Sequence, residues 1–247
     1  MKTVAIIQAR MTSTRLPGKV MMPLAGEALL ARIVQRARAI SGIEMVAVAL
    51  PEGSAHDPIA ALCMALNVPA VRGPENDVLK RYRIAADALG AEIVVRLTSD
   101  CPFLDPQASG AIVAAMLSAR LPYGSNHMES GYPLGFDTQV TTIAALRVAD
   151  EEARDPYERD HVTPFLWRHP ERYPALYVDR RPSLRHWRLV VDTPEDYALA
   201  TSVYDALYSA DPLFGLGHIE RLFAEQPELL TLNAHVTQKP YEGFAVA

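Results

Sequence analysis

The chain has 247 residues, of which 49% are hydrophobic and 21% are charged, so it can bury a full core and is not intrinsically disordered. Its formal net charge of −5 gives the whole molecule no general attraction for nucleic acid. No apolar run approaches the roughly 20 residues of a membrane-spanning helix, and the apolar run near the N-terminus is too short for a signal peptide. With only two cysteines, the sequence predicts a cytoplasmic protein without a disulfide framework.

Hydrophobic periodicity predicts strands and helices that alternate along the chain. The predicted strands cover residues 4–7, 45–50, 68–71, 92–97 and 187–191. The predicted helices cover residues 28–40, 56–67, 77–89, 106–120, 142–153, 194–207 and 215–225. Alternation of this kind is typical of a parallel sheet with helices on both faces. We therefore predict an α/β fold with three layers, built on a Rossmann-like, mostly parallel sheet.

A basic loop follows the first predicted strand. Arg10, Arg15 and Lys19 fall within ten residues, and the pair Pro17-Gly18 favours a turn over a helix. Open α/β sheets bind ligands at the carboxyl ends of their strands, and guanidinium and ammonium groups suit the charge of a triphosphate. A solvated basic loop is the alternative. The loop is not a Walker A motif, since Ser13 stands where that motif has its first glycine, so side chains must do most of any phosphate binding.

An acidic residue follows the strand predicted at residues 92–97. Asp100 lies just beyond this strand, and Pro102 prevents further strand pairing. Its carboxylate should therefore lie at the same sheet edge as the basic loop, where it suits Mg²⁺, an ion that prefers carboxylate and phosphate oxygens. The alternative is that Asp100 only caps a turn. Cys101, next to it, has no nearby histidine that would make it a nucleophile.

Three strings resemble the cytidylyltransferases that activate acidic sugars, in particular the 3-deoxy-manno-octulosonate (KDO) enzymes and the SpsF-like proteins of spore-coat polysaccharide synthesis. They are QARMTSTRLPGK at residues 8–19, TSDCP at 98–102 and VDTPED at 191–196. The resemblance covers roughly residues 3–208 and implies the fold of the nucleotide-diphospho-sugar transferases. It also implies that Asp100 and Asp192 bind Mg²⁺ and that the nucleotide is bound by Arg10, Ser13, Arg15, Lys19 and Thr98.

The turn-rich loop at residues 72–77 separates a predicted strand from a predicted helix. Related enzymes place a loop near the nucleotide base at this point, so the resemblance implies that Arg72 or Asp77 recognises the base. The KDO enzymes carry a different string here, which leaves the choice of base open. Asp77 is also a good N-cap for the helix that follows, and this alternative needs no ligand.

Residues 121–186 interrupt the regular pattern with turn-rich, aromatic and polar segments, which on a rigid scaffold commonly bind a second substrate. The range resembles the acceptor-binding insert of the SpsF-like group, with Asn126 and Asp137 as candidates for hydroxyl contacts. Glu158 and His161 lie three apart on one helix face, and in relatives such a pair approaches the acceptor sugar. The simpler alternatives are an Asx turn for the first two residues and a surface ion pair for the second two.

No linker divides the chain, so we expect residues 1–247 to form one domain. Within it, the insert at about 121–186 would bind the acceptor, and a C-terminal helix and tail would occupy about 209–247. A homodimer is common among the related enzymes, whereas the net charge and the lack of a long apolar run predict no nucleic-acid or membrane partner.

A cationic loop and two aspartates at one sheet edge indicate phosphoryl chemistry. By resemblance, the chain is a cytidylyltransferase that transfers CMP from CTP to a sugar acid or related sugar derivative with Mg²⁺, releasing pyrophosphate, for surface polysaccharide or glycoconjugate synthesis. A guanylyl- or uridylyltransferase acting on a sugar phosphate is one alternative. A glycosyltransferase that uses a sugar nucleotide is another, but it needs a D-x-D motif, and Asp100 is followed by Cys101 and Pro102. A non-catalytic binding module would not need both aspartates.

Overall fold

A mostly parallel sheet forms the centre of the computed structural model, which describes residues 1–126 and 130–238. Its strands are β1 (Thr3–Gln8), β2 (Pro23–Leu24), β3 (Glu27–Ala28), β4 (Met45–Pro51), β5 (Ala70–Gly73), β6 (Ile93–Thr98), β7 (Tyr123–Ser125), β8 (Gln139–Thr142) and β9 (Ala175–Tyr177). Among the described residues, β2 pairs with β3, and the other strands form one sheet in the order β5-β4-β1-β6-β8-β7-β9. Only β8 in this sheet is antiparallel to its neighbours.

Helices cover both faces of the sheet. They are α1 (Leu29–Arg38), α2 (Asp57–Ala65), α3 (Val78–Ala88), α4 (Pro106–Ala119), α5 (Ile143–Glu152), α6 (Pro156–His161), α7 (Pro164–Trp167), α8 (Pro194–Leu207) and α9 (Leu216–Glu225). Short 3₁₀ turns occupy Lys19–Met21, Ser54–His56 and Pro227–Thr231. None of the helices in these described ranges is long and apolar enough to cross a membrane.

The strands send alternate side chains to opposite faces, and this produces two hydrophobic cores. In β1, Ala5 and Ile7 pack in one core with α1, α2, α4, α8 and α9. Val4 and Ile6 pack in the second core with α3, α5 and α7. All four side chains are fully buried, which explains why a strand covered on both faces is a continuous apolar run. The three-layer α/β fold predicted from the sequence is confirmed.

The prediction of a strand at residues 187–191 is wrong, because this segment is not part of the sheet. It is buried and extended, but its backbone bonds go elsewhere: Leu134 N–H donates to the Trp187 carbonyl at 3.1 Å, and Leu189 N–H donates back to the Leu134 carbonyl at 2.8 Å. The Val191 N–H donates to the Asp100 carbonyl at 2.8 Å. An apolar run indicates burial and does not distinguish a sheet strand from a buried extended segment.

Residues 121–186 contribute more to the sheet than the sequence indicated. The strands β7, β8 and β9 fall in this range, and none of them was predicted, since each has only three or four residues. The strand predicted at 68–71 lies two residues later, at Ala70–Gly73. Residues 127–129 of the predicted insert and 239–247 of the predicted tail lie outside the described residues.

A glycine permits the close approach of residues 187–191 to the loop before β8. Gly135 has φ of +102°, and a Cβ built there would lie 2.3 Å from the Leu189 carbonyl oxygen. Gly135→Ala should therefore lower the free energy of unfolding by more than ~1 kcal/mol, because it adds both backbone strain and a collision. Urea denaturation measures this change.

Gly217→Ala is the matched control, since Gly217 lies in α9 and a Cβ there meets nothing within 4 Å. It should leave stability unchanged or raise it by roughly 0.5–1 kcal/mol. Equal stability of the Gly135→Ala protein and the wild type would contradict the close approach.

Candidate active site

The basic loop leaves the carboxyl end of β1 and folds back on itself. The Gly18 N–H donates to the Met11 carbonyl at 3.0 Å, and Gly18 has φ of +69°, a conformation that glycine adopts without strain. His56 accepts a hydrogen bond from the Met11 N–H on its Nδ1 at 3.2 Å. Burial lowers the pKa of His56, which favours the neutral ring that this hydrogen bond requires. The closed loop directs Lys19 inward, where it is buried.

The Lys19 ammonium joins the two aspartates predicted from the sequence. Its Nζ donates to Asp100 Oδ2 at 3.2 Å, to Asp192 Oδ1 at 2.8 Å and to the Val191 carbonyl at 2.7 Å. The loop after β6 and the segment before α8 therefore meet the basic loop at one point. The sequence separations are 81 and 173 residues, so only the fold brings these groups together.

Arg15 and Arg188 contact the second carboxylate oxygen of Asp192. Arg15 Nη2 lies 2.6 Å from Asp192 Oδ2, and Arg188 Nη2 lies 3.4 Å from the same atom. Arg188 also forms a forked pair with the buried Asp196, at 2.8 Å from Nε and 2.8 Å from Nη2. Asp196 in turn accepts from the backbone N–H groups of Asp192 and Thr193 at the start of α8. Asp192 is therefore held at both its backbone and its side chain.

The close charges shift the pKa values of Lys19 and Asp100 in opposite directions. Burial alone would lower the pKa of Lys19, but the carboxylates of Asp100 and Asp192 outweigh it and raise that pKa. Burial alone would raise the pKa of Asp100, but Lys19 and a hydrogen bond from Thr98 lower it to about 2. Lys19 and Asp100 are therefore both charged near neutral pH.

A cleft of about 600 Å³ opens beside these charges. Nine of the residues predicted to form the site line it: Arg10, Ser13, Arg15, Lys19, Thr98, Asp100, Asp137, His161 and Asp192. They come from loops at the carboxyl ends of β1 and β6, from the segment before α8, and from the region around β8 and α6. The structure therefore brings together most of the predicted nucleotide-binding residues and two of the predicted acceptor-binding residues.

The two residues predicted to recognise the base do not line this cleft. Arg72 donates to the Gly53 carbonyl at 2.9 Å and pairs with Asp57 at 2.6 Å. Asp77 caps α3 by accepting from the Lys80 N–H at 3.0 Å, and it pairs with Arg159 at 2.5 Å. Both side chains have structural partners, as the capping alternative for Asp77 anticipated.

Asn126 and Glu158 also lie outside the cleft lining, although both were predicted to contact the acceptor. The Asn126 side chain is buried, donates to the Phe136 carbonyl at 2.8 Å and accepts from the Thr138 N–H at 2.7 Å. Glu158 is buried and pairs with Arg168 at 3.0 Å. His161, three residues later, lies against the ring of Tyr157, with centroids 4.3 Å apart.

Several side chains at the cleft were not predicted from the sequence. They are Gln8, Arg81, Arg96, Gln139, Tyr157, Asp160, Thr163, Trp167 and Gln238. One signal was present in the strand of residues 92–97, where Arg96 interrupts an otherwise apolar run. A charged side chain inside a strand covered on both faces needs a polar environment, so it indicates a cleft at that position.

The resemblance implies that Asp100 and Asp192 bind Mg²⁺, and the chemistry of their carboxylates bears on this role. Within the part of the chain that the structure describes, no group of three or more His, Cys, Asp and Glu residues could hold a metal. Two carboxylates do suit Mg²⁺, which commonly binds one or two of them and completes its octahedron with phosphate oxygens and water. Asp100 and Asp192 therefore fit an ion shared with a bound nucleotide.

The depressed pKa of Asp100 predicts a pH-dependent contribution to stability. This carboxylate ionises at about pH 2 in the folded chain and near 3.9 when unfolded. Its stabilising effect should therefore be complete above about pH 4 and decrease as the pH falls towards 2. In Asp100→Asn the free energy of unfolding should decrease less over this interval than in the wild type, as measured by urea denaturation at each pH.

Asp205→Asn, which replaces an exposed carboxylate on α8, is the control and should follow the wild-type curve. Parallel curves for the wild type and Asp100→Asn would contradict the role of the ion pair.

An open parallel sheet whose carboxyl edge carries a cationic loop and two aspartates has the fold and cleft of an α/β nucleotidyltransferase. A family model described as cytidylyltransferase matches residues 4–234. The chain therefore belongs to the cytidylyltransferase family and is an enzyme of the nucleotidyltransferase class. This confirms the resemblance found in residues 8–19, 98–102 and 191–196.

The chain is similar to one named relative and one solved structure over most of its length, and to a second named relative over less than half of it. It is 31% identical over 207 residues to the spore coat polysaccharide biosynthesis protein SpsF of Bacillus subtilis, covering 81% of this chain and 85% of SpsF. A 3-deoxy-manno-octulosonate cytidylyltransferase of Anaeromyxobacter dehalogenans is 39% identical over 114 residues, which are 45% of this chain and 46% of that enzyme. The solved structure of a cytidylyltransferase from Leptospira borgpetersenii matches with a TM-score of 0.89 and 28% identity, covering 98% of this chain and 100% of that one.

Proposed function

We propose that this enzyme transfers CMP from CTP to a sugar acid and releases pyrophosphate, for the synthesis of a surface polysaccharide or glycoconjugate. The observation that carries the proposal is the contact of Lys19 with Asp100 and Asp192, and of Arg15 with Asp192, beside an open cleft. Cations for phosphates and carboxylates for a metal ion are the groups that nucleotidyl transfer needs in one place. The names of the relatives support the choice of a cytidylyl group as the group transferred and of an acidic sugar as the acceptor.

The basic loop would bind the triphosphate. Lys19 and Arg15 stabilise the charge that develops on the departing pyrophosphate, and Arg10 orients the phosphates from the exposed side of the loop. Ser13 and Thr98 lie at the same cleft and offer hydroxyl groups to the nucleotide. Mg²⁺, when held by Asp100 and Asp192, would neutralise phosphate charge and polarise the α-phosphoryl group.

The acceptor would occupy the other end of the cleft, near Asp137 and His161. In-line attack requires its oxygen to face the α-phosphorus from the side opposite the pyrophosphate. A cytoplasmic location and a homodimer, both expected from the sequence, stay predictions.

The decisive experiment incubates the protein with each nucleoside triphosphate, Mg²⁺ and a panel of sugar acids and sugar phosphates, and measures pyrophosphate release. We expect release with CTP and a sugar acid. Release with GTP or UTP and a sugar phosphate would replace the proposal with one of the related nucleotidyltransferases. Breakdown of a sugar nucleotide without pyrophosphate would indicate a glycosyltransferase.

Asp192→Asn should reduce turnover far more than it reduces folding stability. The change preserves the shape of the side chain and removes the negative charge that Lys19 and Arg15 contact. We expect kcat to fall by about 10²–10³, the range seen when one electrostatic group is removed from an active site. Asp205→Asn serves as the control, and unchanged kcat in Asp192→Asn would rule out a role for this carboxylate in the reaction.

The contacts of Asp192 also predict that metal binding depends on the nucleotide. Both of its carboxylate oxygens already contact cationic side chains, Lys19 on Oδ1 and Arg15 on Oδ2. A free divalent ion gains little at a carboxylate that is already neutralised, whereas a triphosphate draws both cations towards itself. Mn²⁺, followed by its paramagnetic resonance signal, should therefore bind weakly to the free protein and at least tenfold more tightly with CTP present.

Lys19→Met should strengthen the binding of Mn²⁺ to the free protein, because it leaves the two aspartates without their shared cation. Lys80→Met, which removes an exposed lysine on α3, is the control and should not change it. Equally tight binding of Mn²⁺ to the free wild type and to Lys19→Met would contradict this coupling.

A further inference from the structure

One arginine at the cleft is fixed by two glutamines. Arg96 lies on β6, next to Gln139 on β8 in the strand register. Its Nη1 donates to Gln139 Oε1 at 2.9 Å, and its Nη2 donates to Gln8 Oε1, on β1, at 3.2 Å. All three residues line the cleft. The guanidinium therefore has a fixed position on the sheet.

Arg96 differs from Lys19 and Arg15 in the charge of its partners, and it shares this property with Arg81, which also lines the cleft and donates to the carbonyls of Pro74 and Glu75. Lys19 and Arg15 contact carboxylates. Among the described residues Arg96 forms no ion pair, and its acceptors are the neutral amide oxygens of Gln8 and Gln139. Its Nε–H has no hydrogen-bond partner there. A positive charge held only by neutral groups next to an open cleft is the arrangement of an anion-binding site.

The backbone is strained at Val162, next to the residue that completes the hydrogen bonds of Gln139. Gln139 Oε1 also accepts a hydrogen bond from Thr163 Oγ1 at 2.9 Å. Thr163 is placed by Val162, whose φ of +74° and ψ of −54° are those of a classic γ-turn, closed by a bond of 2.9 Å from the Thr163 N–H to the His161 carbonyl. This turn is rare and strained for a β-branched residue, and such strain is concentrated at functional sites.

The same part of the cleft has the chemistry of a sugar site. Tyr157 and Trp167 line it beside His161, and aromatic faces pack against the C–H groups of sugar rings. Gln139 and Thr163 belong to the same wall and carry hydroxyl and amide groups. A ligand here would meet aromatic rings, hydrogen-bonding groups and the guanidinium of Arg96, which has no carboxylate partner among the described residues.

We propose that Arg96 binds the anionic group of the acceptor, the carboxylate of a sugar acid, and that Gln8 and Gln139 are positioning residues for it. The proposal rests on the proposed function, since it places the acceptor beside the nucleotide. Neutral sugars bind poorly because they leave this charge unpaired, so Arg96 determines specificity for acids.

The test uses the smallest sugar acid, D-glycerate, because it does not require the natural acceptor. The full chain is saturated with CTP and Mg²⁺, and the Nε–H resonance of Arg96 is identified by NMR as the signal missing from Arg96→Gln. D-glycerate should shift this resonance, and glycerol, its neutral counterpart, should not. No shift with D-glycerate overturns the proposal, and a shift with glycerol 3-phosphate alone overturns the assignment to a carboxylate.

A second variant separates the charge of Arg96 from its structural role. Gln139→Glu keeps an oxygen at the position that holds Arg96 but neutralises the guanidinium. The folded chain should persist, and the response to D-glycerate should be lost. A retained response in a folded Gln139→Glu protein would overturn the role of the uncompensated charge.

Kinetics provide an independent measurement with any acid of the panel that the enzyme accepts. Arg96→Gln should raise KM for this acceptor by about tenfold to a hundredfold, the range for loss of a hydrogen bond to a charged group, with a smaller change in kcat. The affinity for CTP with Mg²⁺, measured by calorimetry, should be unchanged. Weaker CTP binding in Arg96→Gln would show that this arginine serves the nucleotide and would overturn the proposal. Absence of CTP binding in the wild type would instead refute the proposed function.

Discussion

The contact of one buried ammonium with two carboxylates is the interaction on which the site depends. Lys19 must have anionic partners, because an isolated charge of this kind would be strongly destabilising in a buried position. Asp100 and Asp192 need a cation for the same reason. The fold satisfies all three by bringing the loop after β1, the end of β6 and the segment before α8 to one point. Stability of this sheet edge and readiness for an anionic ligand therefore have the same physical origin.

The position of Asp192 is determined by a second set of polar contacts behind it. Thr193 and Asp196 form a capping box at the start of α8, and the Asp196 carboxylate also accepts from Arg188 and from Asn233 at 2.8 Å. Because the N-terminal N–H groups of a helix need acceptors, the residues that start α8 also fix the residue that precedes it. The start of α8 and the carboxylate that we propose for the metal site are thus specified by the same short string.

The local pattern of apolar and polar residues predicted the layers of the fold and the residues that lie next to the strand ends. Strands covered on both faces are visible as apolar runs, and Arg10 and Asp100 follow such runs within a few residues. The rest depended on contacts between distant segments. Gln139 belongs to a strand of four residues whose reversed direction no local pattern encodes, and Asp77 turned out to pair with Arg159, 82 residues away. The sequence also could not show which of two nearby residues faces the cleft. Glu158 is buried against Arg168, whereas His161 lines the cleft.

Two residues of β6 line the cleft, since Arg96 lies within the strand and Thr98 ends it. A strand advances about 3.3 Å per residue and hardly stretches, so these two positions stay roughly 7 Å apart along its axis. The strand therefore fixes the distance between these two positions. In the proposed reaction, an acceptor whose acidic group reaches Arg96 would present its reacting oxygen to the nucleotide only if its own length matched this spacing, so selection by length would come in addition to selection by charge.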